Sequence, residues 1–346
     1  MNWIKEPVQP ISLEFRQAAV DRQGQLTKPP GSLGQLEEIA IRLASMQHCI
    51  KPAIDEVQIT IFAADHGVVE EGVSAFPQEV TQMMLANFVA GGAAISVLAK
   101  QQSALLEIVD VGVKGEPIAL ANVVQAPVAK GTQNFAKHAA MTEQQCALAL
   151  AAGRDSVDRA IVAGATLFVG GEMGIGNTTS ASAIACALLG GKPELLVGAG
   201  TGVNQTGRLK KQQVIESALE LHKSKLSSPL SILQHLGGFE IAALVGAYLR
   251  CGQKGLPAVV DGFIATAAAL VAARMAPELK AWLFYGHQSQ EPGHKLLLSE
   301  LGEKPLLDLN MRLGEGSGAA LAISLLRTAC LLHNEMATFD EAGIPA

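Results

Sequence analysis

The sequence predicts an α/β protein with a mostly parallel, Rossmann-like sheet that is covered by helices on both faces. Short apolar runs, partly β-branched and ending in small or polar residues, recur along the middle of the chain. Alanine- and leucine-rich stretches with helical spacing lie between them. Strands and helices that alternate in this way form a parallel sheet buried on both sides. An aromatic content of only 4% and a count of 35 glycines favour close packing of helices on that sheet.

Six apolar runs are the predicted strands. They are VQITIFAAD (57–65), LLEIVDVGV (105–113), ATLFVGGE (165–172), LLVGAG (195–200), PAVVDG (257–262) and AWLFYGH (281–287). Segments such as QEVTQMMLANFVAGGAAISVLAK and TEQQCALALAAGRDSVDRAI are predicted helices. Ligands of such sheets bind where the strands end in loops, so we expect a site at the carboxyl ends of these strands.

The two ends of the chain contain no predicted strand. Residues 11–47 have the pattern of helices around a proline and glycine break, TKPPGSLG, and residues 318–339 have the pattern of one long helix. We therefore expect an α/β domain over residues 48–305. A small helical domain is expected from residues 1–47 together with 306–346.

Composition excludes several classes of protein. A chain that is 49% hydrophobic and 17% charged is too apolar to stay disordered. The 26 basic residues against 32 acidic ones leave a net charge of −6 and no general basic surface for nucleic acid. The five scattered cysteines do not predict a disulfide framework or a cysteine zinc site.

A membrane location is not expected. The apolar runs are too short for the roughly 20 residues that span a bilayer, and the best candidate, 263–273, is closed by Asp261 and Arg274. The segment MNWIKEPVQPISLEF has no apolar signal region, which predicts a cytoplasmic protein.

The densest chemical signal is VGGEMGIGNTTSASAIACALLGG, which begins at Val169. A strand leads into a turn with Gly174 and Gly176, and Asn177 and Thr178 then open an apolar helix. Glycines permit close backbone approach, and free N–H groups at a helix start bind anions such as phosphate. No lysine follows the last glycine, which disfavours hydrolysis of nucleoside triphosphates. A capped strand–helix turn explains the same pattern, but Glu172 would repel a phosphate unless it has another task.

A second glycine loop, VGAGTGVN at 197–204, is followed by Arg208, Lys210 and Lys211. Val203 stands where a dinucleotide-binding pattern has its third glycine, so an NAD-dependent oxidoreductase is a weak alternative. The basic residues could compensate the charge of a phosphate. A solvated helix face is the more frequent explanation for Lys210 and explains Lys211 at least as well.

Glu315 lies between glycines in LDLNMRLGEGSGAALAISLL, just ahead of the long C-terminal helix. We expect its carboxylate to be exposed, and the positive end of the helix to favour its ionised form. Such a group is suited to accept a proton. The alternative is a glutamate that only complements the helix dipole.

The segment FAADHGVVEEGVSAFPQEVTQMM, from Phe62, combines polar amides with apolar side chains. Gln78 and Gln82 share a helix face near Met83 and Phe88, and such a surface can hold a flat heteroaromatic ring. Simple core packing of Met83 and Phe88 is the alternative. His66 lacks a second histidine at a metal-binding spacing, so no metal site is expected.

Nine strings, in this order, resemble the nicotinate-nucleotide–dimethylbenzimidazole phosphoribosyltransferase family of cobalamin synthesis. They are KPPGSLGQLE (28–37), FAADHGV (62–68), EGVSAFPQEVT (71–81), NF and GGAAI within 87–95, GEMGIGNTT (171–179), VGAGTGV (197–203), DGFI (261–264), GHQSQEPGH (286–294) and LGEGSGAALAI (313–323). The resemblance covers nearly the whole chain.

This resemblance implies transfer of the phosphoribosyl group of nicotinate mononucleotide to 5,6-dimethylbenzimidazole, with inversion at C1′, by a homodimer without a metal or redox cofactor. It implies that Glu315 is the general base and Glu172 an active-site carboxylate. Ser74 and Gln82 resemble the positions that flank the benzimidazole, where we also place Met83. The phosphoribosyl side would comprise Gly174, Gly176, Asn177, Thr178, Gly202, Lys211 and Ser289. A non-catalytic phosphate-binding module is the alternative, although it would have little use for two glutamates in its glycine loops.

Overall fold

The computed structural model describes residues 2–115, 120, 122–198, 200 and 202–345. Within these residues, six strands form one parallel sheet in the order β3-β2-β1-β4-β5-β6. The strands are β1 (Val57–Ala64), β2 (Leu105–Gly112), β3 (Val123–Gln125), β4 (Leu167–Met173), β5 (Ala258–Val260) and β6 (Leu283–Tyr285). This confirms the predicted fold class, and the strand order reverses between β1 and β4, the place where such sheets bind ligands.

Fourteen α-helices occur in the described part of the chain. They are α1 (Leu13–Gln25), α2 (Gln35–Gln47), α3 (Glu79–Ala90), α4 (Ala94–Gln101), α5 (Glu143–Val162), α6 (Asn177–Leu189), α7 (Pro193–Leu196), α8 (Gln205–His222), α9 (Pro229–Leu236), α10 (Phe239–Lys254), α11 (Phe263–Met275), α12 (His294–Leu301), α13 (Ser317–Glu335) and α14 (Phe339–Ala342). Short 3₁₀ turns span Asn2–Lys5, Gly67–Glu71, Lys223–Lys225 and Pro277–Trp282.

Consecutive residues of β4 face opposite helix layers. A side chain at Gly170 would contact Leu244 and Tyr248 of α10, whereas one at Gly171 would contact the backbone of Glu315, ahead of α13. Every residue of β1 is buried, as expected for a strand inside a parallel sheet with helices on both faces. The sheet thus has its apolar core on both sides, and its carboxyl ends are left for polar residues.

The terminal helices pack together. α1 contacts α2, α2 contacts α13, and an isolated bridge joins Leu26 to Thr338. Arg22 donates from Nε to the carbonyl of His333 at 2.8 Å, at the end of α13 where carbonyls lack helical partners. The domain boundaries given above stay a prediction.

Three details of the prediction are wrong. LLVGAG contains the end of the short helix α7, started by Pro193, instead of a strand, and the three-residue strand β3 was not predicted. The third concerns the best membrane candidate: in the described part of the chain, the segment that is long and apolar enough to cross a membrane is Glu79–Gln101, with a mean hydropathy of 1.5, and not 263–273. The chain turns at Gly91, whose φ of 82° ends α3, so this segment divides into two helices.

Candidate active site

A cavity of about 360 Å³ lies at the carboxyl ends of the strands. Its walls come from the end of β4, the turns that follow β5 and β6, the loop 312–315, and one side of α3. Six predicted site residues line it: Glu172, Gly174, Asn177, Thr178, Ser289 and Glu315. The strand order therefore brings together residues that are far apart in the sequence.

Glu315 lies in an unusual turn. It has a φ of 61° between Gly314 at 88° and Gly316 at 75°, so three successive residues are left-handed. A side chain at Gly171 would place its Cβ 2.8 Å from the Glu315 backbone, so only glycine lets β4 approach this turn. The carboxylate Oε2 accepts a hydrogen bond from the N–H of Ile95, at the start of α4, at 3.4 Å.

The expectation that Glu315 is exposed is wrong, because the side chain is buried with 8% of its surface accessible. Burial raises the pKa of Glu315, although the N–H of Ile95 opposes that shift and Asp261 adds to it. Its base strength is therefore greater than that of a glutamate in water.

Glu172 is the penultimate residue of β4 and lies beside the Glu315 turn. A side chain at Gly314 would place its Cβ 2.5 Å from Oε1 of Glu172, so the two glutamates belong to one surface. Asn177 donates a hydrogen bond from Nδ2 to Oε2 of Glu172. Burial, and next the carboxylates of Glu240 and Asp261, raise the pKa of Glu172 well above its usual value. The charge of Glu172 is thus less favourable than that of a glutamate in water.

Lys211 is buried, with 2% of its surface accessible, so the alternative of a solvated helix face is wrong. Its Nζ donates to Oγ1 of Thr178 at 2.9 Å. Burial lowers the pKa of Lys211 to about 8, and the charge of Glu291 opposes the shift. A cation therefore stands directly behind the first turn of α6, where a phosphate would meet free N–H groups.

Gly200 is held at this end of the cavity from two sides. Its N–H donates to Oε1 of Glu291 at 3.0 Å, and its carbonyl accepts from Nη1 of Arg312 at 3.2 Å. A Cβ at Gly200 would lie 2.7 Å from Nζ of Lys211. The loop 197–204 thus packs against the phosphate-binding candidates, although residues 199 and 201 lie outside the described residues.

His294 holds Ser289 in place. Its Nδ1 accepts the N–H of Ser289 at 2.7 Å, and its Nε2 lies 2.9 Å from Oγ1 of Thr266. Burial lowers the pKa of His294 to about 3, so the ring is neutral and Nε2 carries its proton.

The remaining predicted residues lie outside the cavity wall. Gly176 is the N-cap of α6, and Gly202 is exposed in the second glycine loop. The hydroxyl of Ser74 accepts the N–H of Phe76 at 3.2 Å, and Gln82 lies next to Gly115. Met83 is 66% exposed.

His66 does not line the cavity either. Its Nε2 lies 2.6 Å from Oε1 of Glu240, and its Nδ1 lies 2.8 Å from Oγ of Ser180. Among the residues described, no cluster of three His, Cys, Asp or Glu side chains could hold a metal ion.

Sequence reasoning missed several cavity residues: Phe76, Val80, Met84, Asp261, His287, Glu291 and Arg312. The available signal for Asp261 and His287 was position, since each lies at the carboxyl end of an apolar run that was predicted to be a strand. Helical spacing was the available signal for Met84, which shares a face with Val80 and Phe88, whereas Met83 shares one with Glu79 and Asn87.

Comparisons with known proteins agree with the predicted resemblance. A phosphoribosyltransferase family model matches residues 8–344. Proteins of Pseudomonas syringae pv. syringae and Pseudomonas fluorescens, both named nicotinate-nucleotide–dimethylbenzimidazole phosphoribosyltransferase, are 57% identical over 99% of this chain and 98% of their own length.

Solved structures match equally well. The crystal structure of CobT from Thermus thermophilus has a TM-score of 0.92 and 48% identity, over 96% of this chain and 99% of that one. A second structure from that organism, described as the same phosphoribosyltransferase, has a TM-score of 0.92 and 47% identity over 97% of this chain and 100% of that one. The chain therefore belongs to the nicotinate-nucleotide–dimethylbenzimidazole phosphoribosyltransferase family.

Proposed function

We propose that the chain transfers the 5-phosphoribosyl group of nicotinate mononucleotide to 5,6-dimethylbenzimidazole, giving α-ribazole 5′-phosphate and nicotinate for cobalamin synthesis. The observation that supports this most is the pairing of Glu172 and Glu315 in one cavity that has the buried cation Lys211 at one end. A module that only binds phosphate has no need for two carboxylates facing its ligand.

In the proposed reaction, the leaving nicotinate and the attacking benzimidazole need different assistance from the protein. The nicotinate ring leaves as a pyridine, because the electrons of the broken bond to C1′ neutralise the pyridinium nitrogen, so no acid is required. The benzimidazole attacks C1′ through one nitrogen and must lose the proton on the other. A positioned carboxylate that accepts this proton also orients the correct tautomer.

Glu315 is the proposed general base. One carboxylate oxygen faces the N–H of Ile95, and the side chain lines the cavity, so the other oxygen is the acceptor for the benzimidazole proton. The raised pKa of Glu315 suits this role, because a carboxylate with a higher pKa is a stronger base and takes a proton more readily.

Glu172 is proposed to stabilise positive charge at the ribose. Burial disfavours its charge in the empty cavity, and the cationic pyridinium and the developing oxocarbenium would favour the carboxylate form. Asn177, which donates to Glu172 from the first turn of α6, would hold the carboxylate between the phosphate end and C1′.

The two ends of the cavity have different chemistry. The phosphate and ribose would bind at the start of α6 and the loops beside it, through Gly174, Gly176, Asn177, Thr178, Gly202, Lys211 and Ser289. The benzimidazole would lie against Phe76 and the apolar side of α3, formed by Val80 and Met84, with Ser74, Gln82 and Met83 at its edge. Attack from the face opposite nicotinate converts the β-nucleotide into an α-ribazole.

A homodimer in the cytoplasm is the proposed working form. Exposed apolar side chains near the cavity, such as Phe76 and Leu313, would become buried in such an assembly. Sedimentation velocity on the purified protein tests the dimer.

A direct assay tests the reaction. The purified protein is incubated with nicotinate mononucleotide and dimethylbenzimidazole, and mass spectrometry follows α-ribazole phosphate and free nicotinate. We expect both products in equal amounts. Binding of nicotinate mononucleotide without turnover would favour the phosphate-binding module, and tight binding of NAD would favour the oxidoreductase.

A further inference from the structure

Asp261 lies on the floor of the cavity, where β5 ends and α11 begins. It is buried, with 2% of its surface accessible, and it lines the cavity together with Glu172 and Glu315. Its Oδ1 accepts the N–H of Ala319 at 2.9 Å, and its carboxylate also accepts the N–H groups of Gly318 and Gly262. This side chain therefore joins the end of one strand to the first turn of α13.

The start of α13 needs an acceptor from elsewhere. Its N-cap is Gly316, which has no side chain to accept the free N–H groups of the first turn. Asp261 takes that place from a different element, and its negative charge also complements the positive end of the helix. The capped N–H groups belong to residues three and four positions after Glu315.

The turn that Asp261 holds is the turn that presents Glu315. Glu315 is the one residue other than glycine among three successive left-handed positions, 314–316. Such a conformation persists only where its surroundings determine it. Here β4 supports the turn from one side through Gly171, and Asp261 anchors the helix that follows it.

We propose that Asp261 is a positioning residue for the phosphoribosyl transfer, because its carboxylate caps α13 and so holds the general base Glu315 in its left-handed turn. This inference rests on the proposed function in one respect, the assignment of Glu315 as the base.

The charge of Asp261 also acts on its neighbours. Glu172 and Glu315 both have pKa values that Asp261 raises further, after burial itself. His287 faces it from the turn after β6, with Nε2 at 3.7 Å from Oδ1, and the charge of Asp261 raises the pKa of Tyr248 in α10, after burial itself. Removal of the charge therefore lowers the pKa of Glu315, which a loss of packing alone would not do.

The test compares Asp261→Asn with a matched control, Asp110→Asn. Asp110 is also buried at a strand end and accepts two backbone N–H groups, those of Gly112 and Val113, through Oδ1, at 3.0 and 2.9 Å. It does not line the cavity. Asparagine keeps one acceptor oxygen and removes the charge, so both variants are expected to fold.

For Asp261→Asn we expect kcat to fall about tenfold to a hundredfold, the scale of a displacement of about 1 Å, with KM for both substrates changed less than about threefold. The acidic limb of the profile of kcat/KM against pH should move to lower pH. The Asp110 variant should keep the wild-type kcat and profile. An Asp261→Asn enzyme with wild-type kcat, or one with a reduced kcat but an unmoved acidic limb, overturns the proposal.

Hydrogen exchange gives a readout that does not require turnover. In Asp261→Asn, the amides of residues 314–319 should exchange faster than in the wild type, whereas Asp110→Asn should leave them unchanged. Unaltered exchange in this segment overturns the positioning role, whatever the activity. A wild-type protein that forms no α-ribazole phosphate contradicts the proposed function instead, so the two failures are distinguishable.

Discussion

The cavity and the helix pair α5–α10 both depend on glycine, but for different reasons. In the helix pair, a Cβ at Gly153 would lie 1.8 Å from the carbonyl of Ala243, and one at Gly246 would lie 2.0 Å from that of Leu150. These glycines let two helices approach closely. In the cavity, Gly314 and Gly316 supply the left-handed conformation around Glu315.

The two regions also differ in what they bury. The inner face of the helix pair buries mainly alanine, leucine, valine and glycine, which adds to stability. The cavity buries the carboxylates of Glu172, Asp261 and Glu315 together, which costs stability but raises their pKa values. Substitutions in the helix pair should therefore affect folding, and substitutions in the cavity should affect turnover.

Glu315→Gln should have the largest effect. It keeps the size of the side chain but cannot accept the benzimidazole proton, so we expect kcat to fall by a factor of about 10² to 10⁴. The free energy of unfolding should not decrease, because burial disfavours the charge of the Glu315 carboxylate and the amide that replaces it is neutral. Steady-state kinetics and urea denaturation measure the two quantities.

The control for this experiment is Glu220→Gln, on the exposed side of α8. It should change neither kcat nor stability. If the Glu315 variant instead turns over at the wild-type rate, another group accepts the proton.

Gly153→Ala should lower stability and leave turnover unchanged, which is the opposite of the result expected for Glu315→Gln. The added Cβ would overlap the carbonyl of Ala243, so α5 and α10 must separate, at a cost of about 1–3 kcal/mol. Activity per folded molecule should stay near that of the wild type. Urea denaturation gives the stability, and active-site titration gives the folded fraction.

The matched control is Gly24→Ala, in α1, where an added Cβ meets no atom within 4 Å. Alanine is the better helix former, so this variant should be more stable by about 0.5–1 kcal/mol. Equal destabilisation by the two substitutions would mean that close helix contact is not what Gly153 provides.

Lys211→Met should weaken substrate binding at the phosphate end. Loss of the buried cation that is proposed to interact with the phosphate should raise KM for nicotinate mononucleotide about tenfold to a hundredfold, with a smaller effect on KM for dimethylbenzimidazole. Lys210→Met, at the exposed neighbouring position, is the control. An unchanged KM in the Lys211 variant would remove this lysine from the phosphate site.

The pH dependence of the wild type sharpens this prediction. The pKa of Lys211 is lowered to about 8 before substrate binds, so its cationic form declines above that pH. Therefore kcat/KM for nicotinate mononucleotide should fall above about pH 8. Lys211→Arg keeps its charge throughout this range and should abolish the decline, even if its fit is poorer.

The sequence predicted the sheet well because strand and helix patterns are local. It missed β3, with three residues, and assigned a strand to LLVGAG, because short apolar runs look alike in helices and strands. Glu172, Glu315 and Lys211 were predicted from glycine loops and from the family resemblance. The capping role of Asp261 depends on the distance between the end of β5 and the start of α13, which only the fold determines.

The neighbouring methionines of α3 provide the smallest of these effects. Met84 lines the cavity, whereas Met83 is 66% exposed and outside its wall. Removal of buried methylene groups costs about 0.8 kcal/mol each, so Met84→Ala should raise KM for dimethylbenzimidazole about three- to tenfold. Met83→Ala should raise it no more than about twofold. The reverse order of effects would mean that α3 is rotated when the base binds, so that the residue predicted from the sequence is the one that contacts the ring.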